Sequence, residues 1–160
     1  MKKIIYDHDF GADCDDGGAG AMLAKAHRDG HVKVLAVTQA IANPYGQYCM
    51  EAIFDYLGVS GIPFGYNLEN SKFSGDVYHL CTKSPAEKYY AAKKKPFPEQ
   101  QSGIRLLRKV LSENNRKDIT LVTTGMLTTV YGLCLSGPDD ISPKTGLELL
   151  AENIEEYVLG

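Results

Sequence analysis

The chain has 160 residues, 44% of them hydrophobic and 23% charged, which is the balance of one globular domain with a real core. A formal charge of −3 with only one basic run, Lys93-Lys94-Lys95, excludes the basic stripe that nucleic-acid binding needs. No apolar stretch approaches the roughly 20 residues that span a bilayer, and the opening Ile4-Ile5-Tyr6 is too short for a signal peptide. The four cysteines, Cys14, Cys49, Cys81 and Cys134, form no C-x-x-C pair; as free thiols they fit a reducing, cytoplasmic setting.

The predicted elements alternate. Lys3-Ile4-Ile5-Tyr6 reads as a short buried strand, and the turn Asp7-His8-Asp9-Phe10-Gly11-Ala12-Asp13-Cys14-Asp15-Asp16 follows it. A helix is expected from Asp16 to Arg28, ended by Gly30. Val32 to Val37 is a second strand, Asn43-Pro44-Tyr45-Gly46 a polar turn, and Gln47 to Leu57 a second helix. Ile62-Pro63-Phe64-Gly65 reads as a third strand. Residues 66 to 97 show no period and are expected to form a long, partly ordered excursion. Helical spacing returns from Glu99 to Asn114, and Ile119 to Thr123 is rich in strand formers. Leu127 to Leu135 and Ser142-Pro143 through Leu150 are predicted helices, and Ile154 to Leu159 a last strand. This alternation predicts a single α/β domain, a Rossmann-like, mainly parallel sheet flanked by helices. Ligands then belong outside the carboxyl ends of the strands, where Asp7 to Asp16, Thr38 to Asn43 and Thr123-Thr124-Gly125 fall.

Asp7, Asp9, Asp13, Asp15 and Asp16 lie within ten residues. Carboxylates that dense repel one another unless a cation neutralises them, and oxygen ligands select a hard cation such as Ca²⁺ or Mg²⁺. Capping of a helix N-terminus explains one or two acids, not five. An EF-hand is excluded: with Asp13 in the first position, the twelfth is Ala24, where a bidentate Glu is required. Strand alternation sets His8 opposite Asp7 and Asp9, so His8 reads as a packed histidine, and His27, His31 and His79 have no spaced partner.

The opening through Asp7-His8-Asp9-Phe10-Gly11, with Asp13, Asp15 and Asp16, resembles the signature of inosine-uridine nucleoside hydrolases in its longer form, D-x-D-x-G-x-D-x-D-D. Ile119-Thr120-Leu121-Val122-Thr123-Thr124-Gly125-Met126-Leu127-Thr128 is similar to that family's V-T-L-V-x-T-G-P-L-T-N. Val37-Thr38 through Asn43 and Glu156 to Gly160 resemble two further strand ends. Met126, Thr129 and Phe10 depart from the pattern.

The resemblance implies the N-terminal half of the nucleoside hydrolase fold, with the 160 residues as one incomplete domain. It implies cleavage of the N-glycosidic bond of a ribonucleoside by a water activated beside Ca²⁺. Asp9 would bind calcium and act as the base. Asp16 and the Thr124 backbone carbonyl would be further ligands, with Asp7 near the metal. Asp15 and Asn43 would face the ribose, and Asp13, inside the insertion, has no assigned role. The family's second half, with another calcium aspartate, an asparagine-bearing segment and a histidine near the base, has no counterpart here. Weak or absent turnover and a homo-oligomer are therefore expected. Two alternatives use the same acids. One is a haloacid dehalogenase-type phosphatase built on Asp7, Asp9, Thr123 and Asp139-Asp140. The other is a calcium- or riboside-binding fragment without turnover.

Overall fold

A computed structural model describes residues 1–67, 69 and 75–160. Among these, five strands form one parallel sheet: β1 (Lys2–His8), β2 (Val32–Gln39), β3 (Phe64–Tyr66), β4 (Ile119–Thr123) and β5 (Ile154–Leu159), in the order β3-β2-β1-β4-β5. Six helices flank it: α1 (Asp15–Arg28), α2 (Pro44–Tyr56), α3 (Lys83–Lys93), α4 (Gly103–Glu113), α5 (Thr128–Leu135) and α6 (Gly146–Asn153). The α/β, mainly parallel architecture expected from the alternation is the one observed.

The sheet is buried by two cores, as a parallel sheet requires. Successive residues of β1 feed opposite sides. Tyr6 joins Val34, Val37, Met50 and Phe54 beneath α1 and α2, whereas Ile5 joins Leu107, Leu111, Leu121, Leu133 and Leu149 beneath α4 to α6. Gly17 lets α1 approach the acidic turn, since a Cβ there would come within 2.8 Å of the Phe10 ring. Strand order reverses beside β1: β2 and β3 extend one way, β4 and β5 the other. In open α/β sheets such a switch point, here at the carboxyl ends of β1 and β4, is where a ligand crevice is expected.

Several boundaries differ from expectation: β1 runs on to His8, and α4 and α6 begin at Gly103 and Gly146 rather than Glu99 and Ser142. Pro44 is not in the turn but opens α2, with Asn43 as its N-cap, the Asn43 side chain accepting from the Tyr45 N–H at 3.1 Å. Helix α1 begins at Asp15, one residue early. Within the excursion expected over 66–97, a 3₁₀ helix covers Asp76–His79, and a helix the periodicity did not predict, α3, packs on α2. Of that excursion, 68 and 70–74 lie outside the described residues. Helix α3 escaped detection for a physical reason: it buries one residue, Ala86, and so shows no apolar stripe.

Candidate metal and nucleoside site

The register of β1 places Asp7 between Thr38 of β2 and Thr123 of β4. Asp7 is fully buried. The Thr38 hydroxyl donates to one of its oxygens; the other lies near the Thr129 hydroxyl but makes no well-formed hydrogen bond among the described residues. Burial pushes the Asp7 carboxyl up to about 7. A buried carboxylate with an unsatisfied oxygen is costly unless protonated or facing a cation.

Asp9 follows the end of β1 and lies against the turn after β4. The Met126 N–H donates to Asp9 Oδ2 at 3.1 Å. A Cβ at residue 125 would sit 2.2 Å from both Asp9 Cγ and Oδ1, so the β4–α5 turn closes over Asp9 only because residue 125 is glycine. Asp16, buried in the first turn of α1, accepts from the Thr124 hydroxyl and, at 3.3 Å, from the Tyr6 hydroxyl. Tyr6 and Thr124 also hydrogen-bond each other at 2.9 Å. Burial raises the Asp16 carboxyl to about 7, with the carboxyl of Asp9 adding to the rise.

Asp13 and Asp15 are exposed. Their carboxyls hydrogen-bond each other, which raises the Asp13 pKa. Ligand oxygens of Asp13, Asp15 and Asp16 all lie within 4.8 Å of one another. Asp13, left without a role by the motif, is thus gathered with the others. The acids make two contacting pairs, Asp9 with Asp16 and Asp13 with Asp15. Unsatisfied buried oxygen, clustered carboxylates and raised carboxyl pKa values together fit a hard cation, which would relieve all three.

Asn43 has another occupation. It is fully buried, and its side-chain amide donates to the carbonyls of Phe10 at 3.0 Å and Tyr78 at 2.5 Å, with Thr82 Oγ1 at 3.3 Å. It ties the acidic turn to the segment after the 3₁₀ helix, where the Cys81 N–H also donates to the Gly11 carbonyl. His8 is buried beneath Phe10, whose N–H donates to its Nδ1, and burial lowers its pKa to about 3. That agrees with a packed histidine.

Asp139 and Asp140 lie elsewhere. The eight residues of α5, about 12 Å of helix, separate them from the β4 turn. Each forms a two-pronged ion pair with α4, Asp139 with Arg108 and Asp140 with Arg105. The acid pair required by a dehalogenase-type phosphatase is therefore not at the crevice. Sequence reasoning missed Tyr6 and Thr38, whose hydroxyls reach Asp16 and Asp7. The only signal for Thr38 was its place at a strand end.

No protein-family model matches the chain, and no curated protein does. Solved structures do. An inosine-uridine preferring nucleoside hydrolase from Bacillus anthracis matches with a TM-score of 0.68 at 18% identity, over 99% of this chain and 50% of its own. The effector protein XOO4466 matches with a TM-score of 0.71 at 14% identity, over 99% and 43%. A plant nucleoside hydrolase matches with a TM-score of 0.53 at 18% identity, over 82% and 42%. The fold is nucleoside hydrolase-like, and the chain spans about half the length of these structures.

Proposed function

We propose that the crevice holds a divalent cation, Ca²⁺ by its all-oxygen ligands, and binds a ribonucleoside for hydrolysis of its N-glycosidic bond. The observation that carries this reading is the convergence of Asp7, Asp9 and Asp16 at the switch point of a nucleoside hydrolase-like sheet. Asp9 and Asp16 carboxylates and the Thr124 carbonyl would hold the cation, with Asp7 behind them and Asp13 and Asp15 at the open rim. The ion would supply the positive charge that lowers the pKa of a nearby water and neutralises the acids.

The chain's own residues account for the rest. Asp9, oriented by the Met126 N–H on Oδ2 and set beside Asp16, would take a proton from water. The water oxygen bonds to the anomeric carbon while the C–N electrons leave with the base, through an oxocarbenium-like state. Asp15, exposed at the start of α1, accepts from the ribose hydroxyls. Asn43 serves the pocket chiefly by fixing the Phe10 and Tyr78 carbonyls that shape its wall. No group identified at the crevice protonates the leaving base, so turnover by the 160 residues alone should be slow. Losing a general acid typically costs about 10²- to 10⁴-fold.

A second reading, calcium and riboside binding without turnover, is favoured by the lack, among the described residues at the crevice, of a group placed to protonate the leaving base. Calorimetry with Ca²⁺, then inosine or uridine, combined with a free-base release assay, separates the two. Ca²⁺-dependent release lost in Asp9→Asn supports hydrolysis, and binding without release supports the second reading. Absence of both binding events, or hydrolysis of p-nitrophenyl phosphate instead, overturns both.

A further inference from the structure

Helix α2 sets Gln47, Glu51 and Asp55 in one row, each a turn from the next. The two acids meet different surroundings. Asp55 accepts from the Tyr89 hydroxyl and lies 3.9 Å from Lys93 Nζ. That hydrogen bond, with the charges of Lys93 and Lys95, holds its carboxyl below the usual range. Glu51 has no such relief. It is half-buried, its Oε1 accepts from Gln47 Nε2 at 2.7 Å, and no cationic side chain among the described residues pairs with it. Burial raises its pKa. Gln47 Oε1, on the amide bound to Glu51, has no partner either. This pair therefore holds acceptors in excess of donors, and a cation bearing N–H groups would relieve both.

Glu51 and Asp55 line a cavity of about 490 Å³ between α2, the end of α3 and the segment 95–99. Its walls include the rings of Tyr89, Tyr90 and Phe97. Local structure fixes these rings. Lys94, left-handed at a φ of 53°, ends α3 and turns the chain back, and the Lys95 N–H donates to the Tyr90 carbonyl. Phe97 then stacks on Tyr48 with ring centroids 4.5 Å apart and meets Tyr90 at 5.1 Å. Gln100 Nε2 donates to the Tyr48 hydroxyl at 3.0 Å and ties down the far side of the segment. Burial and then Glu51 raise the Tyr90 phenol, so ring and acid are neighbours. One ring already takes a cation: Lys93 Nζ lies over Tyr89, 5.5 Å from its centroid.

We propose that this cavity binds a small organic ammonium ion, its head hydrogen-bonded to Glu51 and its apolar body against Tyr90 and Phe97. The unpaired carboxylate rejects anions, and its excess acceptors call for N–H donors. Aromatic faces attract an organic cation, whereas a hard metal ion needs more oxygen ligands than this wall offers. The volume is that of a small-molecule site. None of the acids at the crevice lines the cavity, so the proposal stands or falls apart from the activity proposed there.

The test is titration of the unmodified chain with 2-phenylethylammonium and with its neutral isostere 2-phenylethanol, followed by amide NMR. The ammonium should give saturable shifts at Glu51, Tyr89, Tyr90 and Phe97, and the alcohol should bind about tenfold or more weakly. In Glu51→Gln the two ligands should bind alike. Phe97→Ala should weaken both, and Glu113→Gln on α4 should change neither. Circular dichroism checks folding. If Glu51→Gln does not fold, nuclear Overhauser contacts from the ligand methylenes to the Tyr90 and Phe97 rings of the unmodified chain must appear. Equal affinity for ammonium and alcohol overturns the proposal. So does a preference for the ammonium that survives in Glu51→Gln, the absence of saturable shifts, or shifts centred on Asp9 to Asp16 instead.

Discussion

The Asp9 carboxylate occupies the space that a side chain on residue 125 would fill: a Cβ there would lie 2.2 Å from Asp9 Cγ. Gly125→Ala must push Asp9 from the crevice or open the β4–α5 turn. Overpacking of this kind costs roughly 1–3 kcal/mol. The expected outcome is a lower melting temperature and Ca²⁺ affinity reduced by about tenfold or more, read by calorimetry. Gly137→Ala, with nothing within 4 Å of its Cβ, is the control. Unchanged Ca²⁺ affinity in Gly125→Ala would remove Asp9 from the cation site.

Asp16 and Asp13 separate a structured ligand from a rim charge. Asp16 is buried and pre-positioned by the Thr124 and Tyr6 hydroxyls, whereas Asp13, though gathered with Asp15 and Asp16, is exposed to solvent. Asp16→Asn should weaken Ca²⁺ binding by about tenfold or more, and Asp13→Asn by clearly less, since exposed charges are solvated and screened. Equal losses in calorimetric titration would contradict the assignment of Asp16.

How far the site could be read in advance depends on how local its signals are. The five acids lie within ten residues of one another, and the strands around them have the β-branched, apolar composition that a doubly covered sheet imposes. Thr38 and Tyr6 were not legible as partners of the acids. The Thr38 contact depends on which strands lie side by side, and the Tyr6 contact on how α1 packs back over β1; residue spacing encodes neither. Asn43-Pro44 shows a local signal read too weakly: an N-cap residue before proline at the first helical position starts a helix, not a turn. Helix α3 had no apolar stripe to find. Arg108 was hidden inside an amphipathic helix, where a long cation reads as surface.

Arg108 and Arg105 lie one turn apart on α4, yet they should differ sharply in worth. The Arg108 side chain is 2% exposed. It binds Asp139 through two nitrogens and also reaches Ser136 Oγ and the carbonyls of Ser142 and Lys144. Removing it strands those acceptors, and Arg108→Ala should cost about 3–5 kcal/mol in urea unfolding. The Arg105 side chain is 52% exposed beside an exposed Asp140, so Arg105→Ala should change stability little. Ca²⁺ affinity should survive Arg105→Ala. Similar losses for the two variants would refute the account of this latch.

Stability without metal should fall as pH rises from about 4 to about 7, opposite to most proteins in that range. Burial raises the Asp7 and Asp16 carboxyls to about 7 in the folded chain, whereas the unfolded chain releases these protons near 3.9. Their stabilising contribution is complete below the unfolded value and is lost as pH climbs through 7. His8 opposes them. Burial lowers it to about 3, so its contribution is absent in acid and grows as pH rises towards the unfolded value of about 6.5. Between about 4 and 6.5 two carboxyls act against one imidazole. Burial also raises the Glu51 carboxyl, so the carboxyls outweigh the imidazole and the net is a loss of stability as pH rises. Asp139, lowered to about 2 chiefly by its hydrogen bond to Arg108, completes its transition below this window. Thermal melts in chelator at pH 5 and 7.5 should show the higher midpoint at pH 5, and Asp7→Asn should flatten the difference. Added Ca²⁺ should raise the midpoint more at pH 7.5, where the carboxylates are free to bind it. A chelated midpoint that climbs between these pH values would show that Asp7 and Asp16 are ionised without a cation, and would remove the electrostatic case for one.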